Sequence, residues 1–322
     1  MNSFAWVEPA DLESAIAAGA QKGALFKAGG VDVLDLLKEH VEQPTALVNL
    51  RRVGELDFLR EDQGTLAIGP LVTLARLADD PRVMKGVPAL AQAAGWAATP
   101  QIRNLATLGG NLAQRPRCMY FRSELFKCRK KGGTECFAIH GENQDHAVFG
   151  NEICAIVHPS GAATALVALG ASLKLCGPKG ERTVPVEQFF VAPEKDVTRE
   201  NVLQPGELIV EVRVPAGRRS SYVKLMQKQS FDWPLADAAV ALDLDAGSVR
   251  DPRVVLGGAA PVPWRAAAVE KALAGKLLDE ASARAVSRLA AQGATPLDKN
   301  RHKLPALQAA VLRTLRAAGG LT

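Results

Sequence analysis

From residue 112 to residue 153 the chain loses every periodic signal. The stretch is polar, basic, and rich in Cys and Gly, and its apolar residues recur at neither the helical nor the strand interval. A run this long inside a compact domain needs an organiser. It holds Cys118, Cys128 and Cys136, with Cys154 just after it, while the rest of the chain holds only Cys176. A disulfide framework would spread cysteines through a small domain. Cysteines gathered in one loop of a large chain point instead to a metal centre. Their spacing is not CxxC, so the residues alone leave three readings open. One is a structural Cys₄ zinc site, another is a [4Fe–4S] cluster that carries one electron, and the third is four unligated thiols.

The surrounding charge fits an anionic thiolate-bound centre. Arg115, Arg117, Arg122, Lys127, Arg129, Lys130 and Lys131 stand there against Glu124 and Glu135. A solvated basic loop or a docking face would have the same composition. Cys176 falls on an expected strand and reads as a core thiol. His140, His146 and His158 read as hydrogen-bonding or surface groups.

On both sides of this stretch, short strands alternate with helices. Expected helices run over 11–20, with Asp11 as cap, and over about 32–40, 73–78 (capped by Thr73), 86–98 and 160–169. Expected strands lie at 25–28, 46–49, 65–68, 172–176 and 208–214. This is the pattern of small α/β units. Pro215-Ala216-Gly217 reads as a domain boundary. Beyond it lie three expected strands (222–227, 238–244 and 253–257) and helices at about 265–274, 280–291 and 305–317. Together these make a three-stranded sheet backed by helices.

A length of 322 residues, 48% hydrophobic and 23% charged, suits a globular protein of two or three domains. A formal charge of +5 is too mild to argue for nucleic acid. No run of 18 apolar residues is present to span a membrane. The N-terminus has no basic region followed by an apolar run, so no secretory signal is expected. A protein exported with a partner would look the same, which leaves the compartment open.

Two glycine loops carry the remaining chemistry. Lys27-Ala28-Gly29-Gly30-Val31-Asp32-Val33 joins an expected strand to an expected helix. Its bare backbone permits close approach and positive φ, and its N–H groups, with a helix start behind them, favour a phosphate. It is not GxGxxG, and alone it reads as a tight turn. The second loop, Ile102-Arg103-Asn104-Leu105-Ala106-Thr107-Leu108-Gly109-Gly110-Asn111, adds a hydroxyl and an amide beside two glycines. Together the loops are suited to the two phosphates of one dinucleotide, or are two unrelated turns, and their spacing does not decide between these.

The first loop resembles the AGGTDL-type pyrophosphate loop of the molybdopterin dehydrogenase FAD-binding subunits. The second resembles the IRNxATxGGN segment of the same family, which includes the flavin domains of xanthine dehydrogenase. Leu256-Gly257-Gly258-Ala259-Ala260-Pro261 is similar to part of that family's C-terminal domain. The resemblance implies an α+β protein. Residues 1–215 would form an FAD-binding region of the vanillyl-alcohol-oxidase/PCMH type, in α/β subdomains at 1–60 and 61–215. A Cys-rich insertion at about 112–154 would interrupt the second subdomain, and 216–322 would form the C-terminal domain. It further implies that Lys27 through Val33, with Thr107, Gly109, Gly110 and Asn111, hold the FAD pyrophosphate. Gly161 would stand where xanthine dehydrogenase has an aspartate, Ile209 would touch the flavin, and Lys228 would reach the ring edge. Val31 replaces the usual threonine.

The segment Gln114-Arg115-Pro116-Arg117-Cys118-Met119-Tyr120-Phe121-Arg122, continuing through Cys136, resembles the insertion of the periplasmic aldehyde oxidoreductase flavin subunits. That likeness implies a [4Fe–4S] cluster on Cys118, Cys128, Cys136 and Cys154. The function implied is electron transfer within a molybdenum hydroxylase. A large subunit would hold the molybdenum cofactor and a small subunit two [2Fe–2S] clusters. FAD on this chain would pass electrons to an external acceptor, and no catalytic side chain is expected. The compartment would be the periplasm, by co-export with a partner, or otherwise the cytoplasm. Three alternatives are a flavin subunit like that of 4-hydroxybenzoyl-CoA reductase, a free-standing FAD oxidoreductase, and a zinc-stabilised scaffold.

Overall fold

The computed structural model describes residues 1–321. Among these residues, twelve strands fall into three sheets. The first is parallel, with β1 (Ala5–Val7) and β2 (Ala24–Lys27) flanking β3 (Ala46–Asn49). Its helix Leu12–Gly19 starts at Asp11, whose carboxylate accepts from the Ser14 N–H at 2.8 Å while Ser14 closes a capping box. Such a cap contributes about 1 kcal/mol. Ala15, Val48, Leu50 and Leu56 form the small core beneath this sheet.

The second sheet is antiparallel, in the order β4 (Leu59–Asp62), β5 (Thr65–Ile68), β8 (Leu208–Pro215), β6 (Ser172–Gly177), β7 (Gly180–Pro185). Central β8 reads Leu-Ile-Val-Glu-Val-Arg-Val-Pro and is almost wholly buried. Helices Pro88–Gly95 and Gly161–Ala168 complete its core. Cys176 lies on β6, packed against the core of the first sheet.

The third sheet is antiparallel, in the order β12 (Trp264–Arg265), β11 (Ser248–Gly257), β10 (Ala236–Asp245), β9 (Arg219–Leu225). It has four strands rather than the expected three, because the two-residue edge strand β12 is too short to leave a sequence period. Helix Lys303–Gly319 covers one face through Leu307, Val311 and Leu315.

Other departures have similarly local causes. The helix expected over 86–98 is shorter, Pro88–Gly95, and a separate helix, Pro81–Gly86, precedes it, with Val87 outside the helical conformation between them. Each begins on a proline, which has no N–H to donate to a preceding turn. Residues 112–153 are ordered with little regular structure. Met119–Arg122 is a short helix and Arg129–Lys131 a 3₁₀ turn. Two small apolar clusters hold them. One joins Phe121 and Cys128 to Leu36 of helix Val33–Lys38, and the other centres on Tyr120, Ala138 and Ala155.

Candidate FAD groove and cysteine centre

The two glycine loops meet. A Cβ on Gly29 would fall 1.9 Å from the Leu105 carbonyl oxygen, so only glycine allows this approach. Gly30 has φ +85°, in the left-handed region. Around this contact lies a groove of about 410 Å³. Lys27, Ala28, Gly29, Gly30, Val31, Asp32 and Val33 line one side, and Thr107, Gly110 and Asn111 line another.

The polar groups there are only partly spent. Thr107 caps helix Leu108–Ala113, its hydroxyl oxygen accepting from the Gly110 N–H at 3.2 Å, which leaves the hydroxyl proton to donate. Asn111 accepts from the Ser160 hydroxyl through Oδ1, which turns its amide outward as a donor. Lys27 Nζ donates to Asn49 Oδ1 at 3.2 Å and lies 5.2 Å from the Trp6 ring centroid. Burial pulls its pKa down.

Four residues implied by the resemblance lie outside the groove lining. Gly109 is buried, its N–H donates to the Pro70 carbonyl at 2.9 Å, and a Cβ there would meet Pro70 at 2.7 Å, so it serves loop packing. Gly161 opens its helix against Tyr222, whose hydroxyl a Cβ would meet at 2.4 Å. Ile209 is buried in the core of the second sheet. Lys228 lies in the loop after β9, its N–H donating to Asp232 at 3.3 Å.

That loop borders a second cavity of about 290 Å³, lined by Gln227, Asp232, Trp233 and Leu235 on one side and by Arg117, Cys118, His146 and His158 on the other. Arg117 lines both the groove and this cavity. His158 is wholly buried, and burial pushes its pKa down to about 3, so it is neutral.

Sequence reading missed Arg115 and Arg117 as groove residues, and also Thr198, Arg199, Glu200 and Asn201. The arginines follow the second loop directly, which was a usable signal. Residues 198–201 carry no motif at all. The charges interlock. Asp32 accepts from the Arg115 N–H at 2.9 Å and pairs with Arg122 at 2.6 Å and Arg117 at 3.0 Å. Lys130, nearly inaccessible, pairs with Glu200 at 2.9 Å and donates to the Val197 carbonyl at 2.8 Å. The cysteine-bearing insertion is therefore a wall of the groove, tied to the first loop by buried, paired charges.

Cys118, Cys128, Cys136 and Cys154 line one small cavity with Tyr120, Phe121, Phe137 and His146. All four are free thiols. His146 Nε2 lies 3.2 Å from Cys118 Sγ, and His140 is exposed. Burial pushes the Cys118 thiol up to about 11, with Cys136 and Cys128 adding to the effect. The Cys154 thiol donates to Cys136, which pulls Cys136 down to about 6 and holds Cys154 protonated. Such a set ionises fully only around added positive charge. Among the described residues, no group of three or more His, Cys, Asp or Glu side chains is placed to hold a metal ion. No helix among them is long and apolar enough to cross a membrane.

The chain matches two families end to end. FAD binding domain in molybdopterin dehydrogenase covers residues 2–217, and CO dehydrogenase flavoprotein C-terminal domain covers residues 221–315. It is 37% identical over 266 residues to the aldehyde oxidoreductase FAD-binding subunit PaoB of Escherichia coli (strain K12), covering 81% of this chain and 82% of that protein. It is 30% identical over 290 residues to the carbon monoxide dehydrogenase medium chain of Hydrogenophaga pseudoflava, covering 88% and 84%. A solved carbon monoxide dehydrogenase from Hydrogenophaga pseudoflava superimposes with a TM-score of 0.78 at 28% identity, covering 99% of this chain and 98% of that one. Quinoline 2-oxidoreductase from Pseudomonas putida 86 gives 0.76 at 27%, covering 99% and 98%. With the glycine loops joined around one groove and both families matched along its length, the chain belongs to the FAD-binding subunits of the molybdenum hydroxylases.

Proposed function

We propose that this chain is the FAD- and [4Fe–4S]-carrying electron-transfer subunit of a molybdenum-cofactor aldehyde oxidoreductase. It takes electrons from a small subunit with two [2Fe–2S] clusters, serves a large subunit with the molybdenum cofactor, and delivers electrons to an external acceptor. One observation carries this reading. The groove, the second cavity and the four-cysteine cavity adjoin in series, sharing Arg117 at the first junction and Cys118 and His146 at the second. The similarity to PaoB favours an aldehyde as substrate of the complex.

When bound, FAD supplies exchange between single electrons and pairs, and the cluster supplies a one-electron site. The chain's own residues do the holding. The loop amides around Gly29, with the Thr107 hydroxyl and the Asn111 amide, fit the diphosphate. The second cavity fits the flavin ring, with Trp233 and Asp232 at its rim. The four thiols line one small cavity and are the donor set a [4Fe–4S] cluster uses. His146 stands to position Cys118.

The test uses the complex purified anaerobically from its native source. Adding an aldehyde is expected to bleach the flavin absorbance in the complex and to leave the isolated chain unchanged. Bleaching of the isolated chain would favour a free-standing oxidoreductase and overturn the subunit reading. An intact complex inert to aldehydes would overturn the substrate class.

A further inference from the structure

Four basic side chains line the groove, against three acidic ones. Three of the four are engaged by the protein. Lys27 donates to Asn49. Arg115 is held by Glu42, by Glu200 at 3.1 Å and by the Thr198 carbonyl at 3.0 Å. Arg199 donates to the Leu203 carbonyl. Arg117 is different. Its Nη2 meets Asp32 at 3.0 Å and Gln114 at 3.1 Å, but its Nε–H is buried with no partner. Trp233 covers its guanidinium, with 4.8 Å between them. A buried donor on a charged group is costly to leave unmatched, so a ligand that completes it gains correspondingly.

We propose that Arg117 binds the diphosphate of the cofactor at the point where it leaves the groove for the second cavity. This inference rests on the FAD reading above and adds a residue that neither glycine motif contains. The position is fixed from three sides: Asp32 of the first loop holds one edge of the guanidinium, Trp233 covers its plane, and the chain continues directly into Cys118. The diphosphate is the only multiply charged part of FAD. A planar guanidinium suits its oxygens, whereas an uncharged flavin precursor offers it nothing comparable.

The experiment is binding to the full chain stripped of flavin. FAD and riboflavin are followed by flavin fluorescence and ADP by calorimetry. Arg117→Gln is expected to weaken FAD and ADP by about 10- to 100-fold and riboflavin by far less, with Arg117→Lys recovering part of the loss. Arg122→Gln is the control, because Arg122 also pairs with Asp32 but does not line the groove. The proposal is overturned if Arg117→Gln weakens ADP no more than Arg122→Gln does, or if it weakens riboflavin as much as FAD. In the first case Arg117 merely braces Asp32. A wild-type chain that binds neither FAD nor ADP would instead overturn the flavin reading itself, before any substitution is made.

Discussion

Gly29 and Leu105, far apart in the chain, touch so closely that a single Cβ on Gly29 would sit 1.9 Å from the Leu105 carbonyl oxygen. The contact brings the two glycine loops together at the groove. Gly29→Ala must push the loops apart, with an overpacking cost of about 1–3 kcal/mol. Gly110 is a useful comparison, because a Cβ there meets only the Thr107 hydroxyl, at 3.2 Å, and otherwise enters the groove. Gly29→Ala is expected to lower both the melting temperature and the flavin content. Gly110→Ala should lower flavin content with a melting shift close to zero. Thermal unfolding and flavin release on the same preparations check both, and equal melting shifts would contradict the assignment.

Asp32 ties the insertion to the first loop through Arg115, Arg117 and Arg122. Breaking a buried pair by removing one partner costs about 3–5 kcal/mol, and residual exposure of these side chains reduces that to roughly 2–3 kcal/mol. Asp32→Ala should show this loss in urea unfolding. It should also open the 115–131 segment to trypsin. A change below about 0.5 kcal/mol would mean the clamp is not a unit.

Among the five cysteines, only Cys176 lies away from the shared cavity, on β6. Cys128→Ser and Cys154→Ser are expected to lose bound iron, and Cys176→Ser to keep it, as measured by iron analysis of anaerobic preparations. Iron loss in all three variants would point to general instability rather than ligation.

Asp237 is wholly buried, and desolvation raises its pKa to about 6, opposed by a hydrogen bond from Thr164 and the charge of Lys224. Between the ordinary aspartate value of 3.8 and about 6, the native state therefore holds a proton that the unfolded state has released. Stability falls as pH rises through that window, by about 1.4 kcal/mol per pH unit at most, and levels off above it. Asp237→Asn should remove this slope, so the variant gains on wild type from pH 4 to 6 and holds the gain at pH 7–8. A difference curve flat with pH would contradict this origin.

Much of the site was legible in the residues because its motifs are local. Asp11 and Thr73 cap the helices they were expected to cap, and Ser160 caps the helix expected to start with it. Both glycine loops fall where a backbone must approach another group. Strands β4 and β7 escaped because Arg60-Glu61-Asp62 and Glu181-Arg182-Thr183 are exposed edges with no apolar alternation. Arg115 and Arg117 were read only as a rim for the cysteines. In space they face the groove as well, because the insertion folds back onto helix Val33–Lys38 through Leu36, Phe121 and Cys128. The pairing of Asn111 with Ser160 and the approach of residues 198–201 are long-range contacts between segments that carry no matching pattern.

The most direct measurement is the flavin and metal content of the full chain purified without oxygen, with optical and EPR spectra before and after reduction. Flavin bands are expected together with about four irons per chain, and with an EPR signal on reduction that Cys128→Ser abolishes. Flavin without iron would leave the family assignment standing and contradict the cluster. Zinc without flavin would contradict the central claim.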